Sequence, residues 1–133
     1  MTHAVVMLLE RADVPPGTIQ AALRECRLRE AELHVLCVVP LDVETGRAPD
    51  NLHDAFARLE RSLRPVAREC GIALSMHVTG MGSPNVIAGL VKRLGAELLI
   101  VPHLPRRRFW GSTADGFAKR LLDVLPCSIL ISV

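Results

Sequence analysis

The stretch SPNVIAGLVKRLGAELLIV, residues 83–101, holds one whole helix-to-strand unit, and its reading decides the fold. Ser83 followed by Pro84 has the form of an N-cap with proline at the first helical position, where a missing N–H costs nothing. Ile87, Leu90, Val91 and Leu94 then recur at intervals of three and four, which puts them on one face of a helix. Gly95 is a natural stop, because glycine takes the left-handed closing conformation without a Cβ penalty. Directly afterwards Leu98-Leu99-Ile100-Val101 is apolar in every position, as suits a parallel strand covered by helices on both sides.

The same alternation extends in both directions. Ala4 to Leu9 is a continuous apolar run, Leu33 to Val39 is nearly one, interrupted by His34, and Ser128 to Val133 closes the set. Ile72 to Val78 differs: Ile72, Leu74, Met76 and Val78 alternate with Ala73, Ser75 and His77, the pattern of a half-exposed edge strand. Between the strands the period becomes helical. Ile19, Ala22, Leu23 and Cys26 form one stripe behind Pro15, Pro16 and Gly17. Leu52, Phe56, Leu59, Leu63, Val66 and Cys70 form another, with Arg58, Arg61, Arg64, Arg68 and Glu69 largely opposite. Pro65 falls inside that second helix and is expected to kink or break it. Ser112 with Asp115 reads as a variant capping box for a last helix that runs to about Leu125, with Phe117, Leu121 and Leu122 inward, and ends at Pro126.

Strand and helix therefore alternate along the chain, which is expected to be one α/β domain over residues 1–133, an open parallel five-stranded sheet with helices on both faces. A ligand should sit at the carboxyl ends of the strands, where strand order reverses. Those ends lead into residues 10–17, 40–50, 79–83 and 102–112, and the segment 40–50, with Gly46 and Pro49, is expected to be the most mobile connection.

Composition removes several classes of function. Half of the 133 residues are hydrophobic, yet no apolar run approaches the roughly 18 needed to cross a bilayer, and Met1 to Leu9 lacks the cationic start and cleavage site of a signal peptide. A soluble cytoplasmic protein is expected, with no membrane partner. A net charge of +2 and only 3% aromatic residues, none of them tyrosine, give no footprint for nucleic acid. Cys26, Cys37, Cys70 and Cys127 form no CxxC pair and no metal-ligand spacing, so they read as buried free thiols and no metal is expected.

Known α/β chemistries also fail on their motifs. The turn after the first strand, Glu10-Arg11-Ala12-Asp13-Val14-Pro15-Pro16-Gly17, has one late glycine, too few for a dinucleotide turn or a Walker loop. Thr79-Gly80 stands where a phospho-receiver would keep an aspartate, and no GxSxG elbow occurs. His3, His34, His53, His77 and His103 have no metal spacing and no nucleophile partner, so no catalytic set can be assembled.

The run Leu94-Gly95-Ala96-Glu97-Leu98-Leu99-Ile100-Val101, followed by Leu125-Pro126-Cys127-Ser128-Ile129-Leu130, resembles the LGADLIV and APCPVLVV pattern of the universal stress protein family at a similar separation. Ala31 to Pro40 is similar to that family's second strand, GAELTLLHVVP. The resemblance implies a five-stranded sheet, homodimers through the last strand, here Ser128 to Val133, and a non-enzymatic part in stress survival or signalling.

An ATP-binding branch of that family carries GxxG, nine residues, then glycine with serine or threonine, after the fourth strand. Glycines there let backbone N–H groups close on the phosphates. Counting back from Pro126-Cys127 puts Pro102 and Pro105 at the two glycine positions and Asp115-Gly116 at the later pair. Proline offers no N–H and fixes φ, the opposite of a phosphate cradle. Taking Gly111-Ser112 as the later pair moves the glycine positions to Leu98 and Val101, which fails as well. The ordinary ATP mode is therefore expected to be absent. By the same resemblance Glu10, Val39 and Gly80 would line the nucleoside side, although a solvated carboxylate and a simple turn explain Glu10 and Gly80 equally well. Arg106, Arg107 and Arg108 ahead of Gly111, Ser112 and Thr113 could hold a phosphate or other anion in place of the lost cradle. The plainer reading is a solvated basic loop with Phe109 and Trp110 packed on the domain or a partner.

Overall fold

The computed structural model describes residues 3–39, 52–80, 84–102, 108–109, 112–113, 120, 123–125 and 127–132. Strands β1 (His3–Leu9), β2 (Ala31–Val39), β3 (Leu74–Gly80), β4 (Ala96–Pro102) and β7 (Ser128–Ser132) form one sheet in the order β3-β2-β1-β4-β7, parallel at every pairing. Helices α1 (Pro16–Arg29), α2 (Leu52–Glu69) and α3 (Pro84–Arg93) connect them. The remaining strands, β5 (Arg108–Phe109) and β6 (Ser112–Thr113), pair antiparallel in a ribbon of their own.

Consecutive apolar residues in β1, β2 and β4 give the sheet two cores, because successive side chains point to opposite faces. Val5, Met7, Leu9, Leu33, Val35, Cys37, Leu98 and Ile100 pack with Ala22 and Cys26 of α1 and with Phe56, Leu63 and Ala67 of α2. Val6, Leu8, Leu36, Val38, Leu99 and Val101 pack on the other face with Ile87 and Val91 of α3. The open α/β architecture expected from the alternation is thus the architecture found.

The helix ends follow their sequences. Pro84 opens α3 and the turn at Leu94–Gly95 closes it, with Gly95 at φ +70° and its N–H donating to the Lys92 carbonyl at 3.0 Å. At the end of α2, Ile72 N–H reaches the Ala67 carbonyl at 2.8 Å and Gly71 N–H the Arg68 carbonyl at 3.0 Å, around Gly71 at φ +70°. That is the Schellman closure, in which a left-handed residue lets the chain satisfy its last carbonyls.

Three expectations are corrected. Pro65 does not break α2, which is assigned as helix from Leu52 to Glu69. Val66 is 41% exposed, because Ala67, eleven residues and about three turns after Phe56, takes the inward place instead. Ser112 lies in the β5–β6 ribbon, not at a helix start, and Asp115, Phe117, Leu121 and Leu122 lie outside the described residues. β7 closes the sheet as an edge strand, with Leu130 and Ile129 packed toward the two cores and Ile131 37% exposed. Ser83, the segment 40–50 and Val133 lie outside the described residues. Among the described residues no helix is long and apolar enough to cross a membrane.

Candidate functional site

The first three strands run outward from β1 and the next is laid on its other side, so strand order reverses between β1 and β4. A crevice at the carboxyl ends of these two strands is where an open α/β sheet binds ligands, since the connections leave in opposite directions there. Glu10 directly follows β1 at that point. It is half-buried, and burial raises its carboxyl above the ordinary range against the opposing pull of Arg11. Among the described residues Glu10 has no hydrogen-bond or ion-pair partner, whereas Arg11 is turned to Asp13 at 3.0 Å. The Thr18 hydroxyl in the first turn of α1 is fully buried and has no hydrogen-bond partner among the described residues.

Val39 and Gly80 are register partners at the ends of β2 and β3, so the structure brings these two sequence candidates together. Pro102 is the last residue of β4 and pairs with Ser132 of β7. Beyond it the backbone pairs Arg108 with Thr113 and Phe109 with Ser112. Arg106, Arg107 and Gly111 lie outside the described residues, as do Pro105 and Trp110. Glu10, Val39 and Gly80 therefore occupy the carboxyl end of the sheet, and the ribbon lies on the connection that leaves β4.

At the opposite end of the sheet a set of charged groups ties β1, β4 and α1. His3 Nδ1 lies 2.8 Å from Glu97, and Arg29 reaches Glu97 at 3.3 Å and Glu25 at 3.1 Å. The His3 hydrogen bond, followed by that of Arg29, holds the Glu97 carboxyl below the ordinary range.

One group of functional type escaped the sequence reading. His34 of β2 and His77 of β3 meet with His34 Nδ1 and His77 Nε2 2.9 Å apart, while His34 Nε2–H donates to Glu32 at 2.8 Å. The ring centroids are 5.1 Å apart with planes 23° from parallel. With the two nitrogens in contact that separation requires rings meeting edge to edge, so the pair is a hydrogen bond in the ring plane and not a stack. Burial, followed by the neighbouring His34, lowers His77 below the ordinary imidazole range. His34 and His77 are 43 residues apart, and only the β2–β3 register, with His34 opposite Ser75 and Leu36 opposite His77, joins them. Among the described residues no group of histidine, cysteine and carboxylate side chains is arranged to hold a metal.

No protein-family model matches the chain, and no curated protein matches it in sequence. Solved structures do match. A universal stress protein from Archaeoglobus fulgidus in complex with dAMP superposes with a TM-score of 0.69 at 17% identity, over 100% of this chain and 98% of that one. The universal stress protein UspA from Lactobacillus plantarum gives 0.66 at 13% identity, over 98% and 97%. A universal stress protein in complex with cAMP gives 0.64 at 16% identity, over 98% and 95%. The chain is thus an open parallel α/β protein with its candidate site at the carboxyl ends of β1 and β4. Its fold is that of the universal stress proteins.

Proposed function

We propose that the chain is a non-catalytic stress-response or signalling domain of the universal stress protein type, cytoplasmic and homodimeric, which acts through a partner or small ligand and lacks the usual ATP mode. The observation that carries this reading is the exit from β4. Pro102 ends the strand in register with Ser132, and with Pro105 it stands where ATP-binding members carry glycines. A segment so substituted has lost backbone donors and the freedom to fold over a triphosphate.

A second reading is a nucleotide or anion binder, at most a slow ATPase, that uses Arg106, Arg107 and Arg108. It is favoured by the two neighbours that hold dAMP and cAMP, ligands with a single phosphate. A monophosphate needs no cradle for the outer phosphates. Glu10, Val39 and Gly80 would face the nucleoside, and the arginines with Gly111, Ser112 and Thr113 would take the charge.

Isothermal titration of the purified protein with magnesium ATP, AMP and cAMP separates these readings, repeated on the variant with Arg106, Arg107 and Arg108 all changed to alanine. The first reading expects no heat with ATP at about millimolar concentration. Micromolar ATP binding lost in the triple variant would overturn it. Binding of AMP or cAMP without ATP, again lost in the variant, would establish the second.

A further inference from the structure

On the α3 face, a groove of about 360 Å³ lies between the carboxyl half of α3 and the β2–β3 edge, lined by Leu36, His77, Thr79, Leu90, Arg93 and Leu94 among others. Its size is at the small end of ligand sites, which run from roughly 300 Å³ upward. Leu36 is buried in the sheet, and Leu90 and Leu94 come from the inner stripe of α3, so the floor is apolar. Arg93, in the last turn of α3, is exposed and makes no ion pair among the described residues. Among the described residues no carboxylate lines the groove. One fixed cation over an apolar floor is complementary to an anion with a hydrocarbon body.

The histidine pair adds a proton. Glu32 accepts from His34 Nε2–H, so a neutral His34 presents Nδ1 as an acceptor and takes the Nε2–H of His77. His77 Nδ1 is then a bare lone pair and would repel an anion. Protonating His77 at Nδ1 turns it into a donor and breaks neither hydrogen bond. Among the described residues, the groups that bear on this ring are Glu32 and His34 from β2 and Arg93 from α3; β3 has no other titratable residue.

We propose that this groove binds a small amphipathic carboxylate, its hydrocarbon body on Leu36, Leu90 and Leu94 and its charge on Arg93 and His77, with uptake of one proton by the histidine pair. Burial keeps His77 below the ordinary imidazole range, so in the free protein near neutral pH the ring is uncharged and the proton enters with the ligand.

The test uses hexanoate as probe, with hexanol and hexylamine as controls, followed by nitrogen–proton NMR and by calorimetry in two buffers of different ionisation enthalpy. Hexanoate is expected to shift Leu90, Leu94 and the His77 ring, to bind about tenfold more tightly near pH 6 than near pH 8, and to take up close to one proton. Arg93→Gln should weaken it about tenfold while Arg93→Lys keeps most of the affinity, and His77→Gln should abolish the pH dependence. Equal binding of hexanol, no perturbation of the groove at about 10 mM hexanoate, or a pH dependence unchanged by His77→Gln would each overturn the proposal.

Discussion

Cys26 and Cys37 are closed off between the sheet and the α1–α2 layer, and burial pushes both thiols up to about 12, with Glu25 and Glu60 adding to the effect. A thiol attacks as its thiolate, so at neutral pH both should be almost inert. Cys70, just past α2, is only half-buried. Alkylation of the native protein near neutral pH, read by peptide mass spectrometry, should label Cys70 first and leave Cys26 and Cys37 untouched until denaturant is added. Rapid native labelling of Cys26 or Cys37 would show that this layer opens far more easily than its packing implies. The free-thiol reading of Cys26 and Cys37 was available from sequence, because a cysteine on an apolar stripe is a small hydrophobe wherever the stripe is buried. The pairing of His34 with His77 was not. Each is a lone histidine in its own strand, and a contact across 43 residues exists only once the register of β2 on β3 is known.

Among the elements, α3 was the most legible, since Pro84, the apolar stripe and Gly95 all agree there, whereas β3 runs Leu74–Gly80, two residues later than the alternating run Ile72 to Val78, and leaves Val78 exposed. α2 shows where local chemistry and packing conflict. Pro65 removes the N–H that would reach the Arg61 carbonyl, and its ring crowds that carbonyl, a cost of about 3 kcal/mol in a helix interior. The helix nevertheless continues, because Leu63 and Ala67 on either side of the proline bury against the same face of the sheet as Phe56. Pro65 itself is exposed, so nothing packs on its ring that alanine would lose. Pro65→Ala should therefore stabilise the protein by about 1–3 kcal/mol, seen as a higher midpoint in urea at unchanged slope. An unchanged or lower midpoint would mean that Pro65 sits in α2 at no net cost. Local signals failed at Ser112 for a related reason: a capping pattern names a candidate helix start, but here the residue is taken into a ribbon with Phe109.

At the scale of the whole molecule the sheet has two edges, β3 and β7, unpaired on their outer sides among the described residues, and the proposed assembly turns on which of them a second copy covers. Both carry an exposed branched residue, Val78 at 48% and Ile131 at 37%. The edges differ in what stands behind them. β3 alternates, with Leu74 and Met76 against the core and polar residues between, so it is built to face water on one side. In β7, Leu130 packs toward one core and Ile129 toward the other, and the strand is apolar from Ile129 to Ile131. A strand with apolar side chains on both faces and an unpaired ladder along its outer side is a liability in a monomer and a ready seam between two copies. In the proposed homodimer through Ser128 to Val133, two β7 strands meeting about a two-fold axis would pair their outer backbone groups and cover Ile131 in each copy. Light scattering after size exclusion should give twice the 14.5 kDa chain mass for the native protein. Ile131→Lys, which puts a charge at the seam without disturbing the buried layer, should shift it to the monomer with an unchanged circular dichroism spectrum, and Val78→Lys at the other edge should leave the dimer intact. A dimer that survives Ile131→Lys but dissociates with Val78→Lys would place the seam on β3. The groove beside His77 would then lie at the interface, and ligand and assembly would become coupled.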